Sequence, residues 1–127
     1  MIRTQGVNGH AMSNTLERVK FNQKFAMLTL HAMVNGINFI CTSYSRTPVE
    51  QNALFKKGLS RCDGYEKKSY HQLDRARDIA IIDKDELIAY GYDDHPDYTV
   101  LGEVWELLGV RWGGSFEGFR DVFHYEY

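Results

Sequence analysis

The sequence lacks the features that mark several classes of protein. Cysteine occurs only twice among 127 residues, and Cys41 and Cys62 form neither a C-x-x-C pair nor the spacing of a zinc knuckle. No apolar run approaches the roughly 18 residues of a membrane-spanning helix, and no block of lysine or arginine is long enough to follow a phosphate backbone. With 15 basic and 17 acidic residues, the net charge is only −2. The composition therefore argues against a disulfide framework, membrane insertion and a nucleic-acid partner.

What remains is the composition of one compact domain. Hydrophobic residues make up 43% of the chain, which is sufficient for a core at this length. Residues 1–12 are polar and are interpreted as an N-terminal extension of a single domain over residues 1–127. They lack the basic-then-apolar pattern of a secretory signal, so we expect synthesis in the cytoplasm. There both thiols are predicted to be reduced, with Cys41 in the core, and the protein is predicted to be a monomer.

Hydrophobic periodicity predicts an α+β fold, with helices packed on a small antiparallel sheet. A long amphipathic helix, or two helices in tandem, is predicted over residues 13–36, and a second helix begins at Pro48 and ends at Gly58. Strands are predicted over 37–45, 76–83 and 121–127, and a third helix from about Thr99 to Leu108, with Trp105 in the core. Residues 59–75 form a polar loop that is longer than a compact domain usually carries without a functional reason.

Three residues can be combined into a zinc site. Catalytic zinc takes three nitrogen or oxygen ligands and keeps a fourth position for water, and His71, Asp78 and His124 satisfy that count. If the strands that carry Asp78 and His124 pair, both side chains project from one face of the sheet, and His71 arrives from the loop. Asp121, three residues before His124, is a candidate base. Each residue also has an ordinary explanation as a surface histidine or a turn aspartate, so spacing alone leaves the site open.

A second acidic segment, GYDDHPDY, contains a histidine and three carboxylates: Asp93, Asp94, His95 and Asp97. The ordinary interpretation is a solvated turn. A second cation bound there is the alternative that the sequence leaves open.

Three ordered blocks over residues 40–127 resemble one known family. The stretch SYHQLDRARD resembles the S-x-H-x-x-G-x-A-x-D signature of the M15 zinc peptidases, the D,D-carboxypeptidase and L-alanyl-D-glutamate endopeptidase family, with Asp74 replacing the glycine. The four signature residues in register are Ser69, His71, Ala76 and Asp78. The ending WELLGVRWGGSFEGFRDVFHYEY is similar to the family's W-x-x-L-G, W-G-G and D-x-x-H-F-E pattern, with Tyr125 replacing the phenylalanine. TSYSRTPVEQNALFKKGLS resembles the family's strand, arginine and helix segment.

The resemblance implies a Hedgehog/D,D-peptidase-like fold and one Zn²⁺ ion bound by His71, Asp78 and His124. It makes Asp121 the general base. Arg46 matches the arginine that contacts the scissile carbonyl, and a fixed guanidinium there would stabilise a developing oxyanion. A surface salt bridge is the ordinary alternative for Arg46.

Four further residues receive less definite roles. Ser69 either orients the ligand loop or contacts substrate, and Gln51 is expected to brace the arginine from the helix. Trp112 either lines the cleft or belongs to the core. Glu126 either hydrogen-bonds a ligand histidine or lies on the rim. Ser69, Gln51, Trp112 and Arg46 are therefore the predicted substrate-binding set.

The implied activity is zinc-dependent hydrolysis of the stem peptide of bacterial peptidoglycan. The leading hypothesis is an L-alanyl-D-glutamate endopeptidase of the phage endolysin type, which reaches the wall after a holin opens the membrane. One alternative is a D,D-carboxypeptidase that removes terminal D-alanine. The other is a catalytically silent, zinc-stabilised domain that binds the wall. A structural zinc site tends to have four protein ligands and needs neither Asp121 nor Arg46, which argues against the silent domain.

Overall fold

A computed structural model of the chain describes residues 9–83, 86–88 and 95–127. The elements in chain order are α1 (Gly9–Val34), β1 (Asn38–Ser43), α2 (Pro48–Lys56), β2 (Ala76–Asp83), β3 (Glu86–Ile88), α3 (Pro96–Leu107), β4 (Arg111–Trp112) and β5 (His124–Glu126). A short 3-10 turn, Gly113–Ser115, follows β4. The predicted α+β class is confirmed, and the first segment forms one continuous helix rather than two.

The sheet is antiparallel and has β2 as its central strand. Its order is β1-β2-β5-β4, and β3 pairs with the second half of β2. The first half of β2 pairs with β5, so that Asp78 lies directly opposite His124. On the other edge of β2, Asp78 is the partner of Ser43 at a register shift in β1. The two ligand-bearing strands therefore do pair, which was the condition for Asp78 and His124 to project from one face of the sheet.

The core lies between the sheet and the two longer helices. Trp105 of α3 is fully buried, as predicted, and contacts Phe21 of α1 and Tyr125 of β5 edge-on, with both ring centroids 5.9 Å away. Its indole Nε1 donates to the Arg111 and Glu126 carbonyls at 2.9 and 3.2 Å. These edge-to-face contacts and hydrogen bonds hold β4 and β5 against the helices, and β5 carries one of the candidate ligands.

Two predicted boundaries are wrong. Helix α3 begins at Pro96 rather than Thr99, because His95 caps it with Nδ1 accepting from the Asp97 amide at 3.1 Å, and proline is favoured at the first helical position. The last strand covers only His124–Glu126 rather than residues 121–127. The short strands β3 and β4 were not predicted.

Other predictions concern the thiols, the membrane and the acidic segment. Cys41 and Cys62 are both free and half-buried, and Cys41 packs against the core. Within the described ranges, no helix combines the length and hydropathy needed to cross a bilayer.

The acidic segment that could bind a second cation is only partly described. Asp93 and Asp94 lie outside the described residues, whereas His95 Nε2 lies 3.0 Å from Asp83 Oδ2 beside the start of α3.

Candidate metal centre and active-site cleft

The three predicted ligands meet where the ligand loop reaches the β2–β5 pair. His124 Nδ1 lies 3.0 Å from Asp78 Oδ1, and His71 Nε2 lies 3.4 Å from Asp78 Oδ2. One donor atom from each residue lies within 4.8 Å of the other two. Two imidazole nitrogens and one carboxylate in a partly open pocket make a donor set that fits a catalytic zinc ion.

Hydrogen bonds behind the two histidines determine which ring nitrogen faces Asp78. His71 Nδ1 donates to the Tyr44 carbonyl at 2.7 Å, which leaves Nε2 as the ring nitrogen that faces Asp78. His124 Nε2 donates to Glu126 Oε1 at 2.7 Å, and Arg111 Nε donates to the other oxygen of Glu126 at 2.7 Å. Of the two interpretations of Glu126, the structure favours the hydrogen bond to a ligand histidine. Such partners orient metal-binding imidazoles.

The charged groups at this centre have shifted proton affinities. Burial opposes ionisation of Asp78, but hydrogen bonds from His124 and His71 outweigh it and hold the Asp78 pKa well below its usual range. Burial likewise opposes protonation of His124, but hydrogen bonds to Asp78 and Glu126 outweigh that penalty and raise its pKa to about 9. A cation held between the three donors would take the place of the proton on the His124 nitrogen that faces Asp78.

The ligand loop is a tight turn that carries His71 toward Asp78. The Ser69 amide donates to Gln72 Oε1 at 3.0 Å, and the Gln72 amide donates back to the Ser69 carbonyl at 3.1 Å. The His71 carbonyl accepts from the Arg46 amide at 3.1 Å, which joins this turn to the end of β1. Ser69 therefore orients the loop, and it also lines the cleft.

The conformation and the contacts of Asp74 account for an aspartate at the position where the family signature has glycine. Its φ is +55°, in the left-handed region that glycine adopts freely and that aspartate tolerates better than most residues. The carboxylate of Asp74 lies 2.9 Å from Arg18 Nη2 of α1 and 2.9 Å from Arg77 Nη1 of β2. These two ion pairs join the turn between the ligands to the first helix and to the central strand.

Arg46 is aimed into the cleft by three polar contacts. Its Nη1 donates to Gln51 Oε1 at 3.1 Å, and its Nη2 donates to Ser43 Oγ at 3.0 Å and lies 3.5 Å from Asp78 Oδ2. Gln51 is fully buried and donates to Ser60 Oγ and the Cys62 carbonyl at 2.8 and 2.9 Å. Gln51 does not line the cleft, so it positions the arginine from α2 rather than contacting substrate.

Asp121 lies on the wall of the same cleft. Its amide donates to the Gly113 carbonyl at 2.9 Å, and its Oδ1 accepts from the Phe123 amide at 3.2 Å, which fixes the segment before β5. Burial and the nearby Asp78 carboxylate raise the pKa of Asp121. A carboxyl group with a raised pKa is suited to take up and return a proton.

Trp112 is placed in the core and not in the cleft wall. It is only 6% exposed, and its Nε1 donates to the Val122 carbonyl at 2.9 Å. Its ring packs directly over Gly102 and Gly114, which have no side chains to displace it. The substrate-binding interpretation of Trp112 is therefore corrected to a structural one.

The cleft has a volume of about 570 Å³. The three ligand residues, Arg46 and Asp121 lie along it, so the predicted centre and both predicted reactive groups face one space. Apolar side chains complete its walls: Leu54, Leu59, Phe116 and Phe119.

Comparison with known proteins identifies the family. Residues 63–127, about half of the chain, match the M15 peptidases described as D-alanyl-D-alanine carboxypeptidase. The chain belongs to the M15 peptidase family. The predicted family and its fold type are both confirmed, and the match contains all three candidate ligands.

Among characterised M15 relatives, the peptidoglycan L-alanyl-D-glutamate endopeptidase CwlK of Bacillus subtilis is 31% identical over 102 residues. The alignment covers 72% of this chain but only 61% of CwlK, so the chain spans about three fifths of that relative's length. The L-Ala D-Glu endopeptidase ChiX of Serratia marcescens has a similar fold, with a TM-score of 0.54, 17% identity, and coverage of 71% of this chain and 66% of ChiX.

A second solved structure is a mutant of the vancomycin-resistance D,D-pentapeptidase VanY from the VanB-type cassette, in complex with Zn(II). It superposes with a TM-score of 0.56 at 20% identity and covers 86% of this chain and 71% of VanY. At such identities, ChiX and VanY support the M15 fold alone.

Several supporting residues of this M15 site were not predicted. The Tyr44 carbonyl orients His71, but a backbone acceptor leaves no trace in a side-chain motif. Arg111 donates to Glu126, and the position of these two residues opposite one another could be found only once the β4–β5 register was known. Phe116 and Phe119, which line the cleft, both lie in the glycine-containing segment SFEGF. Two aromatic residues in a glycine-containing loop were the sequence signal that could have indicated a binding surface.

Proposed function

We propose that this M15 domain is a zinc-dependent peptidase of the peptidoglycan stem peptide that cleaves the bond between L-alanine and D-glutamate. The observation that carries the proposal is the presence of the three-donor centre, Asp121 and Arg46 in one cleft. CwlK, an endopeptidase for this bond, supports this specificity. The description of the matching family, D-alanyl-D-alanine carboxypeptidase, supports the second candidate, a D,D-carboxypeptidase that removes terminal D-alanine.

His71, Asp78 and His124 would hold the metal. When bound, Zn²⁺ would supply a Lewis acid that activates water and polarises the substrate carbonyl. The buried hydrogen bonds from His71 to Tyr44 and from His124 to Glu126 support this assignment, since they leave one ring nitrogen of each histidine directed at Asp78.

Asp121 is proposed as the general base and then the general acid. It would accept a proton from the attacking water and deliver it to the leaving amine. Its raised pKa keeps the protonated form accessible after the first transfer, which the second transfer requires. Its backbone is fixed by hydrogen bonds at both the Asp121 and Phe123 amides, so the carboxylate is positioned before substrate binds.

Arg46 is proposed to stabilise the oxyanion that forms at the scissile carbonyl. Its guanidinium is held on one side by Gln51 and on the other by Ser43, so little reorganisation is needed when charge develops. The presence of Asp121 and Arg46 in the same cleft argues against a silent zinc-stabilised domain, because a structural zinc site needs neither a base nor an oxyanion donor.

The bond that is cut can be identified by mass spectrometry of purified peptidoglycan after digestion with the zinc-loaded protein. We expect fragments with a new N-terminal D-glutamate. Loss of terminal alanine would instead support the D,D-carboxypeptidase, and unchanged peptidoglycan would support the silent domain.

A matched pair of variants tests the mechanism. Asp121→Asn should lower kcat by about 10²-fold or more, as expected for a lost acid-base group, while zinc content stays unchanged. Glu117→Gln alters an exposed acid in the same segment and should retain activity. Full activity of Asp121→Asn would eliminate the proposed base.

The biological setting that we propose is phage-type lysis, in which the enzyme reaches the wall after a holin opens the membrane. Its support is the sequence resemblance to phage members of the family. Expression inside bacteria should cause lysis only when the membrane is permeabilised, and lysis without permeabilisation would contradict the proposed route. The monomeric state and the lack of a nucleic-acid partner stay predictions.

A further inference from the structure

The cleft contains two sets of charged side chains with different surroundings. Its carboxylates belong to Asp78, Asp121 and Glu126, and each of them already accepts a hydrogen bond at or beside the metal centre. Apart from Arg46 and the two histidines of the centre, its basic side chains are Arg61, Lys67 and Lys68, which the loop after α2 presents to the same cleft. These three residues, called here the cationic arm, are all exposed.

Protein carboxylates do not neutralise the cationic arm. Among the ion pairs of the described residues, none includes Arg61, Lys67 or Lys68, whereas Arg46 lies 3.5 Å from Asp78. In the same loop, the carboxylate of Asp63 accepts from the Tyr65 and Lys67 amides at 3.1 and 2.9 Å. The arm is therefore free to bind an anion that enters the cleft.

The backbone that carries the cationic arm is held in place. The Lys67 carbonyl accepts from the Gly64 amide at 3.1 Å, and Gln72 Nε2 of the ligand turn donates to the Gly64 carbonyl at 2.8 Å. From α2, Asn52 Nδ2 donates to the Asp63 carbonyl at 2.9 Å. These bonds connect the lysine-bearing loop to both the metal-ligand turn and α2. The backbone positions of Lys67 and Lys68 are therefore fixed relative to the metal centre.

Arg61 approaches the opposite wall. Its guanidinium carbon lies 5.3 Å from the ring centroid of Phe119, a cation–π contact between the loop after α2 and the segment before β5. A ligand in the cleft would thus meet cations on one side and apolar side chains of Phe116 and Phe119 on the other.

We infer that the cationic arm recognises a free carboxylate beside the scissile bond and so selects stem peptides with unmodified D-glutamate over those in which this group is an amide. The inference rests on the proposed function, because D-glutamate linked through its side chain presents its α-carboxyl next to the bond that would be cut. Ammonium and guanidinium groups make charge-assisted hydrogen bonds to carboxylates. An amide has no charge, and it replaces one of the two acceptor oxygens with an NH2 group that, like the groups of the arm, can only donate.

Two matched synthetic stem peptides test the inference, one with the D-glutamate α-carboxyl free and one with it amidated. For the wild-type zinc-loaded protein we expect kcat/KM to be about tenfold higher for the free acid at low salt, the order expected for the loss of one hydrogen bond to a charged group. The difference should reside mainly in KM and should shrink as salt is added, since the arm is exposed.

Variants then assign the preference to the arm. Lys67→Gln combined with Lys68→Gln should bring the ratio between the two peptides close to one, and Arg61→Gln should reduce it. Lys67→Arg combined with Lys68→Arg keeps the charges and should preserve it. Lys56→Gln combined with Lys57→Gln removes two lysines that do not line the cleft and should leave the ratio as in the wild type. Tm and zinc content confirm that each variant is folded.

The outcomes separate this inference from the proposed function. Cleavage of both peptides at equal rates by the wild type, or a preference that survives loss of both lysines, overturns the inference while the endopeptidase assignment stands. If the wild type cleaves neither peptide, the proposed function fails and the inference fails with it.

Discussion

Gly113 offers the most direct test of how the fold positions the candidate base. It is buried just after β4, and a Cβ at this residue would lie 2.2 Å from the Asp121 carbonyl oxygen and 3.1 Å from His124 Cβ. The first contact is with backbone, which cannot swing aside as a flexible side chain would. Gly113→Ala should therefore displace the Asp121 segment itself.

The size of the displacement follows from the contact. Ordinary van der Waals contact begins at 3.4 Å, so the Asp121 carbonyl or the Gly113 backbone must move by about 1.2 Å. Overpacking of this kind typically costs about 1–3 kcal/mol of stability. It also strains the hydrogen bond from the His124 amide to the Asp121 carbonyl, now 3.2 Å. A shift of about 1 Å in a catalytic group can lower the rate about 10²-fold.

The assay is kcat on a stem peptide, measured beside thermal denaturation of the same preparations. Gly36→Ala is the control, because Gly36 has φ +71° and nothing within 4 Å of an added Cβ. That variant should lose about 1 kcal/mol from left-handed backbone strain and keep its kcat. If Gly113→Ala lost stability but kept kcat within about threefold of the wild type, the link from Gly113 to the base would be refuted.

Three other substitutions test supporting parts of the fold. Asp74→Ala should be less stable than Asp74→Gly by about 1 kcal/mol in urea unfolding, because both lose the ion pairs but only alanine is strained at φ +55°; equal stabilities would contradict this. Gly102→Ala places a Cβ 2.1 Å from the Trp112 ring and should lower Tm and shift the tryptophan fluorescence; an unchanged Tm would show that the ring can move. Hydrogen bonds from the Thr47 amide and hydroxyl groups lower the pKa of Glu50. The ionised Glu50 carboxylate therefore stabilises the fold at neutral pH, and this contribution is lost as the pH falls through the lowered pKa. Glu50→Ala should thus lower Tm more at pH 7 than at pH 3, and a pH-independent loss would rule out the charge effect.

Local rules made the metal centre a candidate, and the family resemblance then singled it out. Strand periodicity puts Asp78 and His124 on their strands, and antiparallel pairing then places them opposite one another. His71 needs only the short turn from residue 69 to 75, whose signature residues were in register. Arg46 and Gln51 were predicted together because the segment that contains both resembles the strand, arginine and helix segment of the family.

Other parts of the structure depend on contacts that no local pattern contains. Strand β4 is only two residues long and exists because it pairs with β5, so periodicity has nothing to detect. Trp112 could not be assigned to core or cleft until the glycines beneath its ring were known to face it. The start of α3 depended on His95 acting as a cap, which is uncommon for histidine.

Asp74 shows how the support of the centre extends beyond the signature that predicts it. A glycine in its place would satisfy the left-handed turn between His71 and Asp78 but would make no contact outside that turn. Aspartate is somewhat strained in this left-handed conformation, but its carboxylate forms ion pairs with Arg18 of α1 and Arg77 of β2. Asn14 of α1 adds a contact to the Leu73 carbonyl at 3.4 Å. The first helix, which carries no candidate ligand, thus contributes to the position of two of them, and variants on its Arg18 face should alter metal affinity as well as stability.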